Sequence, residues 1–293
     1  MILHLSFFSV LVYIYYIKLM ENAKYDSTQP FAHSRNTNVN FNYVWDAPTQ
    51  YWIPEQASSL SLSYILNNAK DFINKFGNNP NVGQSVSLTS PETVWDGSTQ
   101  YVFPPNEGTG IQVKSDDVAD TQNIVIQGLD ENFQQQNWSG TLNGLTEVNV
   151  DGTWTRVFRA YNNDSVDLNG VINIHASGND ALSYAQINDG NNQTLMAIYT
   201  VPANCTGYFT KYQTTAHNPS SASEIGYTVH MKTRELGKVF RVKSISSAGT
   251  SHEVTKEFDF PNMLPPKTDI IFDIVSANGN NGSVDVEFNI ALL

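Results

Sequence analysis

The chain has 293 residues and a mass of 32.6 kDa, enough for one large domain or two modest ones. Its 16 basic and 28 acidic residues give a net charge of −12 at pH 7. This balance argues against a nucleic-acid-binding protein, because binding phosphate backbones requires clustered Lys and Arg. Hydrophobic residues reach 40% and aromatic residues 12%, too many for a disordered chain. The single cysteine, Cys205, excludes a disulfide framework and a cysteine-based zinc site.

Residues 2–17 form the one membrane-like stretch of the sequence. They are shorter than the roughly 20 residues that span a bilayer, and they lack the basic start and small-residue cleavage site of a signal peptide. A membrane or signal anchor, a buried or partner-bound apolar arm, and a start codon assigned too early all remain open. We favour the last, with Met20 as the start. Residues 21–43 are polar and Asn-rich, so we predict an apolar start and a flexible arm over 1–43.

An internal duplication follows the arm. Residues 44–54 read VWDAPTQYWIP and residues 94–104 read VWDGSTQYVFP, with seven of eleven positions identical. The copies are predicted either to be equivalent strands or turns that pack on one core, or to be peptide-like segments that dock on a neighbouring subunit. The candidate interaction residues are four of the seven that both copies share: Trp45, Asp46, Gln50, Tyr51, Trp95, Asp96, Gln100 and Tyr101.

The segment between the copies carries a helical pattern. From Glu55 to Phe76, apolar residues recur at three- and four-residue spacing, and Gly77 and Pro80 follow as stop signals. We predict an amphipathic helix over 55–76. Residues 44–105 as a whole are predicted to be an attachment region rather than a catalytic domain.

Short alternating runs separated by Asn, Gly, Asp or Pro turns occupy the rest of the chain. Alternation is clearest near the C-terminus, where Val284, Val286 and Phe288 alternate with Asp285 and Glu287. The pattern predicts a mainly β fold: an antiparallel β-sandwich or jelly-roll-like domain over 106–293. The predicted strands are 111–115, 123–127, 153–161, 170–175, 194–201, 207–214, 225–232, 238–243, 253–260, 269–275 and 283–290.

The sequence contains no phosphate-loop, dinucleotide-binding or serine-hydrolase motif. His175 and His230 fall in the middle of predicted strands, where sheet residues are commoner than metal ligands. Two polar segments, 116–120 with its three aspartates and 188–192, are predicted to be solvated turns in preference to calcium sites. We therefore expect no cofactor, no metal site and no catalytic residue.

Several segments of residues 92–293 carry a resemblance. They are ETVWDG at 92–97 with YVFP at 101–104, IQGLDENF at 126–133, LNG at 142–144, WTRVFRA at 154–160, NQTLMAIYTVPA at 192–203 and LPPKTDI at 264–270. In this order they resemble a group of uncharacterised virion structural proteins of tailed bacteriophages, especially marine ones. Where that group usually has Gly-Lys or Gly-Tyr before the next Thr, this chain has Asn204-Cys205, and residues 44–76 have no counterpart there.

The resemblance implies a non-enzymatic structural protein of the virion, such as a decoration, fibre or neck component. The expected partners are copies of itself, in a homo-oligomer, and other virion proteins of the capsid, neck or tail. The alternative is a carbohydrate- or receptor-binding module whose Trp138 or Trp154 stacks on a host surface glycan. A surface-anchored cellular β protein and a polysaccharide depolymerase are weaker alternatives.

Overall fold

The structure, a computed structural model, describes residues 43–46, 51–54, 62–82, 90–217, 226–249, 253–277 and 282–293. The chain divides into two units, Met1–Leu60 and Ser61–Leu293. In the first unit, strands β1 (Tyr43–Asp46) and β2 (Tyr51–Pro54) form an antiparallel hairpin. The predictions made for residues 1–42 lie outside the described residues. None of the described helices has the length and apolar character needed to span a bilayer.

The second unit begins with one short helix, α1 (Leu62–Asn68), and continues with strands. The strands are β3 (Asp71–Val82), β4 (Glu92–Thr93), β5 (Thr109–Ser115), β6 (Asn123–Leu129), β7 (Gln135–Thr141), β8 (Val148–Trp154), β9 (Arg156–Asn162), β10 (Ile172–Ala176), β11 (Asn179–Ile187), β12 (Ile198–Thr200), β13 (Gly207–His217), β14 (Gly226–Arg234), β15 (Arg241–Gly249), β16 (Val254–Leu264), β17 (Asp269–Ala277) and β18 (Gly282–Leu292).

These strands form four antiparallel sheets. Sheet 1 has the order β11-β10-β5-β8, and sheet 2 has the order β7-β6-β9. Sheet 3 has the order β12-β17-β14-β15, with β4 paired to β17, and sheet 4 has the order β16-β13-β18-β3. β3 and β4, which come from the predicted attachment region, are therefore strands of sheets 4 and 3.

The prediction of a mainly β, antiparallel protein is confirmed. The finer prediction of a jelly-roll-like sandwich is not clearly met, because the four sheets are arranged as the blades of a four-bladed propeller. Alternation in the sequence shows which face of a strand is buried, but it does not show which strand pairs with which. For this reason the pattern alone predicts the class of fold better than the order of its strands.

Two apolar cores hold the sheets together. The first draws its side chains mainly from sheets 3 and 4, and the rings of Phe209, Phe272 and Phe288 stack within it at centroid distances of 5.3–6.3 Å. The second draws mainly on sheets 1 and 2 and includes Trp154, together with Ile198 of sheet 3. Each fully buried Phe contributes about 1.5–3 kcal/mol of transfer free energy, so these clusters dominate the stability of the unit.

The predicted helix over 55–76 is wrong over 71–76, and its first residues, 55–61, lie outside the described residues. Helix α1 ends at Asn68, and the chain then enters β3, which pairs with β18 over almost its whole length. Phe72 and Phe76 are four residues apart, which fits a helix, but even spacing also places both on one face of a strand. Pro80 is tolerated because β3 is an edge strand, where one row of N–H groups has no ladder partner. Gly77 is required where β3 approaches another segment, because a Cβ there would lie 2.1 Å from the Ala197 nitrogen.

The predicted strands are found with changed bounds. The run predicted over 153–161 is two strands of different sheets, β8 and β9, that are separated at Thr155. The run predicted over 194–201 is ordered as a strand only in the three residues of β12. β7 and β11 were missed because their sequences, QQNWSGT and NDALSYAQI, have no regular apolar alternation.

Candidate functional site

The second copy of the duplicated motif lies inside the second unit. Trp95 and Tyr101 are 3% and 5% exposed, and their rings meet edge to face at a centroid distance of 5.2 Å. The Trp95 indole Nε1 donates to the Thr99 carbonyl oxygen at 2.8 Å, and the Tyr101 hydroxyl donates to the Tyr184 carbonyl oxygen at 2.9 Å. Both side chains therefore have satisfied polar groups and pack in the second core.

Asp96 connects the motif to a distant loop. Its carboxylate is 3% exposed and accepts hydrogen bonds from the Leu195 backbone N–H at 2.6 Å and the Asn188 side-chain amide at 3.1 Å. Burial raises the pKa of Asp96 to about 7, although hydrogen bonds from Leu195 and Asn191 act to lower it. The 188–192 segment, predicted to be a solvated turn, is therefore held against the motif by its own amide side chains.

Of the four candidate residues in the second copy, Gln100 is the exposed one. Its side-chain amide donates to the Thr93 hydroxyl at 3.1 Å and reaches an oxygen of Asp273 at 3.4 Å. Asp273 is 2% exposed, and its other oxygen pairs with Lys232 Nζ at 2.8 Å. Gln100 thus closes a polar cluster at the β4–β17 pairing.

Three of the four candidate residues of the first copy lie on the β1–β2 hairpin. The backbone of Trp45 pairs with that of Trp52, and Asp46 pairs with Tyr51. Gln50 lies outside the described residues. In the second copy the backbone pairing is different, because the Thr93 N–H donates to the Thr99 carbonyl at 3.0 Å.

The two copies are not interchangeable, and the reason lies in the two positions after the aspartate. Ser98 adopts a φ of +48°, whereas proline, which the first copy has at position 48, is restricted to a φ near −65°. A Cβ on Gly97 would lie 2.3 Å from the Trp95 ring, and the first copy has Ala47 at that place. The described backbone pairing also differs between the copies, so the prediction that they are equivalent strands is not met there; the turn of the first copy, residues 47–50, lies outside the described residues.

A buried charge centre joins sheets 2 and 3, and no motif in the sequence indicates it. Arg156 of β9 contacts both oxygens of Asp269 of β17, and Arg234 Nη2 contacts the second of these oxygens at 2.6 Å. The Arg156 guanidinium also lies over the Phe103 and Phe133 rings, at 5.0 and 5.1 Å from their centroids. Arg156 occurs in the WTRVFRA segment, whose periodicity indicates a strand but not a charge partner 113 residues away.

The other polar candidates serve the fold locally. Asp120 is fully buried and accepts hydrogen bonds from the Ser115 hydroxyl at 2.6 Å and the Gly170 N–H at 3.0 Å. Burial acts to raise the pKa of Asp120, but these hydrogen bonds, with two from Asn169, hold it below its usual value. His175 is buried, with Nδ1 3.0 Å from the Ala176 carbonyl oxygen. Within the described ranges, no group of three His, Cys, Asp or Glu side chains is placed to hold a metal ion.

The structure forms a groove of about 440 Å³ that the sequence analysis did not anticipate. Three pairs of neighbours, Lys70–Asp71, Gln134–Gln135 and Asn204–Cys205, line it together with Leu292. These segments are far apart in the chain and share no motif, so only the packing of β3, β7 and the loop before β13 brings them together. Comparison with protein-family models, with curated proteins and with solved structures gives no match.

Proposed function

We propose that this protein is a structural subunit of a virus particle that assembles with copies of itself. The proposal starts from the resemblance of residues 92–293 to phage virion proteins, and it is supported by where the resembling segments lie. Trp95, Trp154 and Arg156 are at most 3% exposed, and residues 196–201 contribute five buried side chains to the cores. The residues of the resembling segments thus form the core of the fold, as expected if the resemblance reflects a common architecture.

The observation that carries self-assembly is a pair of exposed aromatic side chains on β3, an edge strand of sheet 4. On edge strand β3, Phe72 and Phe76 are 57% and 44% exposed and lie on one face of the strand. On helix α1, Leu66 is 47% exposed. Edge strands with exposed apolar side chains are templates for pairing with another chain, and most soluble oligomers are built from copies of one subunit.

Contacts with other virion proteins are assigned, within the same proposal, to the first copy of the motif. Trp45, Asp46, Gln50 and Tyr51 belong to the Met1–Leu60 unit. Its described residues pair as the β1–β2 hairpin, which differs from the backbone pairing in the second copy, and we assign it this different role.

Light scattering of the full-length protein tests self-assembly. We expect a closed oligomer whose mass falls toward that of the monomer in the F72S/F76S double variant, while the V166S control, which changes a side chain that is 63% exposed elsewhere, keeps the oligomer mass. A monomeric wild-type protein, or a double variant that keeps the oligomer mass, would overturn the proposed role of this edge. Immunogold labelling of purified virions then tests whether the subunit belongs to the particle.

A further inference from the structure

We propose that the groove, together with the outer face of sheet 2, binds an oligosaccharide that carries a carboxylate group. The proposal goes beyond the structural role and does not depend on it. A glycan-recognition alternative based on Trp154 or Trp138 is not supported by their positions: Trp154 is fully buried, and Trp138 is paired with Ile126, whose side chain lies in the second core. The sheet 2 residues that carry the present proposal lie on the opposite face of that sheet from Trp138.

The groove has the size and the polar groups of a sugar site. Its volume of about 440 Å³ lies in the range of about 300–1,000 Å³ that is typical of small-ligand pockets. Gln134, Gln135 and Asn204 supply amides that both donate and accept hydrogen bonds, and Lys70 supplies a cation. Hydroxyl groups of a sugar need such paired donors and acceptors.

The polar surface continues from the groove along β7. Gln135 lines the groove and also begins a row of exposed side chains on alternate positions of this edge strand, followed by Asn137, Ser139 and Thr141. On the neighbouring strand β6, Gln127 pairs with Asn137. Because side chains two residues apart share a face, these amides and hydroxyls form one continuous polar surface.

Strand β9 adds an aromatic ring and a cation to this surface. Arg159 pairs with Gln127 across the sheet, and Tyr161 pairs with Val125. The Arg159 guanidinium lies over the Tyr161 ring at 4.7 Å from its centroid, and within the described part of the chain it has no ion-pair partner. A planar ring beside amides suits the face of a sugar, and an unpaired guanidinium suits a carboxylate.

The charge of the surface favours an acidic ligand over a neutral one. The protein carries −12 overall, yet Lys70 and Arg159 flank this surface with Asp71 as the acidic neighbour in the groove. We expect these two cations to attract carboxylated sugars to this face, although the protein as a whole is acidic. The attraction should weaken as the salt concentration rises.

Isothermal titration calorimetry of the full-length protein with tetragalacturonate tests the proposal, with maltotetraose as the neutral comparison. We expect tetragalacturonate to bind, and to bind at least tenfold more weakly in the Arg159→Ala and Gln135→Ala variants. The Arg241→Ala control, which removes an exposed cation from β15, should bind like the wild type.

Three results would overturn the proposal: no binding of tetragalacturonate, equal binding of maltotetraose, or binding that the Arg159→Ala and Gln135→Ala variants leave unchanged. Thermal unfolding of each variant shows that a loss of binding is not a loss of folding. The oligomer mass is measured separately, so the failure of this proposal is distinguishable from the failure of self-assembly.

Discussion

The guanidinium of Arg156 and the carboxylate of Asp269 form a buried two-point ion pair between sheets 2 and 3. Nε contacts Oδ1 at 2.7 Å and Nη2 contacts Oδ2 at 2.9 Å, and the two residues are 2% and 1% exposed. The Thr200 hydroxyl donates to the same Oδ1 at 2.7 Å. Every oxygen of the carboxylate is therefore matched, which is the condition under which a buried ion pair is tolerated.

Removing the cation from this pair should be strongly destabilising. Arg156→Met leaves a buried carboxylate that has lost its two-point partner, and we expect the free energy of unfolding in urea to fall by about 3–5 kcal/mol. Lys114→Met is the matched control, because the Lys114–Asp180 pair at 2.8 Å is exposed to solvent, and its loss should cost at most about 1 kcal/mol. Equal losses in the two variants would contradict the assignment of Arg156 as a structural centre.

Transferring first-copy residues into the second copy should disrupt its turn. Gly97→Ala places a Cβ against the Trp95 ring, and Ser98→Pro requires a φ that proline cannot adopt. We expect each variant to lose about 1–3 kcal/mol or more in urea unfolding. Val102→Trp, which also introduces a first-copy residue but at a 52% exposed position, should stay within about 0.5 kcal/mol of the wild type. If all three variants were equally stable, the copies would be interchangeable after all.

Asp96 should make the protein more stable in mild acid than at alkaline pH. Its pKa is raised from 3.8 to about 7 in the folded protein, so between these values the folded state binds more protons than the unfolded state. Stability from this group is therefore highest below pH 3.8 and is lost as the pH rises toward 7. The change is a few kcal/mol at most, on the order of 1.4 kcal/mol for each unit of pKa.

The Asp96→Asn variant isolates this contribution. Its free energy of unfolding should fall less between pH 5 and pH 8 than that of the wild type, measured by urea titration at each pH. The variant should also be less stable at pH 5 by about 1–3 kcal/mol. The NH2 group of the introduced asparagine is a donor, and it must face another donor, either the Leu195 N–H or the Asn188 side-chain NH2. Parallel pH profiles of the two proteins would show that Asp96 does not titrate in this range.

Lys75 should act in the opposite direction. It is 7% exposed, its ammonium donates to the Phe158 carbonyl, and burial together with the charge of Arg159 lowers its pKa from 10.5 to about 7. Between pH 7 and 10.5 the unfolded state binds more protons than the folded state, so the stability from this group increases as the pH rises through that window.

Lys75→Met tests this sign. The variant should be more stable than the wild type by about 1–2 kcal/mol at pH 6, because it buries no charge, and the difference should shrink by pH 9. Lys243→Met, a change at an exposed lysine of β15, should show no such convergence. If the Lys75 variant were less stable than the wild type at pH 6, the contacts of the Lys75 ammonium would stabilise the protein by more than the burial of its charge destabilises it.

Local patterning was sufficient to predict the strands and their faces where alternation is strict. In β18, Val284, Val286 and Phe288 are buried, and Glu287 between them is exposed, as the alternation predicts. The same reasoning failed over 71–76, where Phe72 and Phe76 satisfy both a helical and a strand spacing. Ladder pairing with β18 decided between them, and β18 lies more than 200 residues further along the chain.

The sequence by itself determined a mainly β, antiparallel protein with acidic charge and a duplicated Trp-Asp motif, because composition and side-chain period are local properties. Only the tertiary structure decided the order of strands in the four sheets, the pairing of Arg156 with Asp269, and the groove that joins residues 70–71, 134–135 and 204–205. The strand order, the ion pair and the groove depend on backbone hydrogen bonds and packing between distant segments. Backbone hydrogen bonds are alike for every residue type except proline, so the residue types of a strand do not identify its partner strand. The local sequence therefore does not indicate which distant segments pair, and the groove can be identified only once the fold is known.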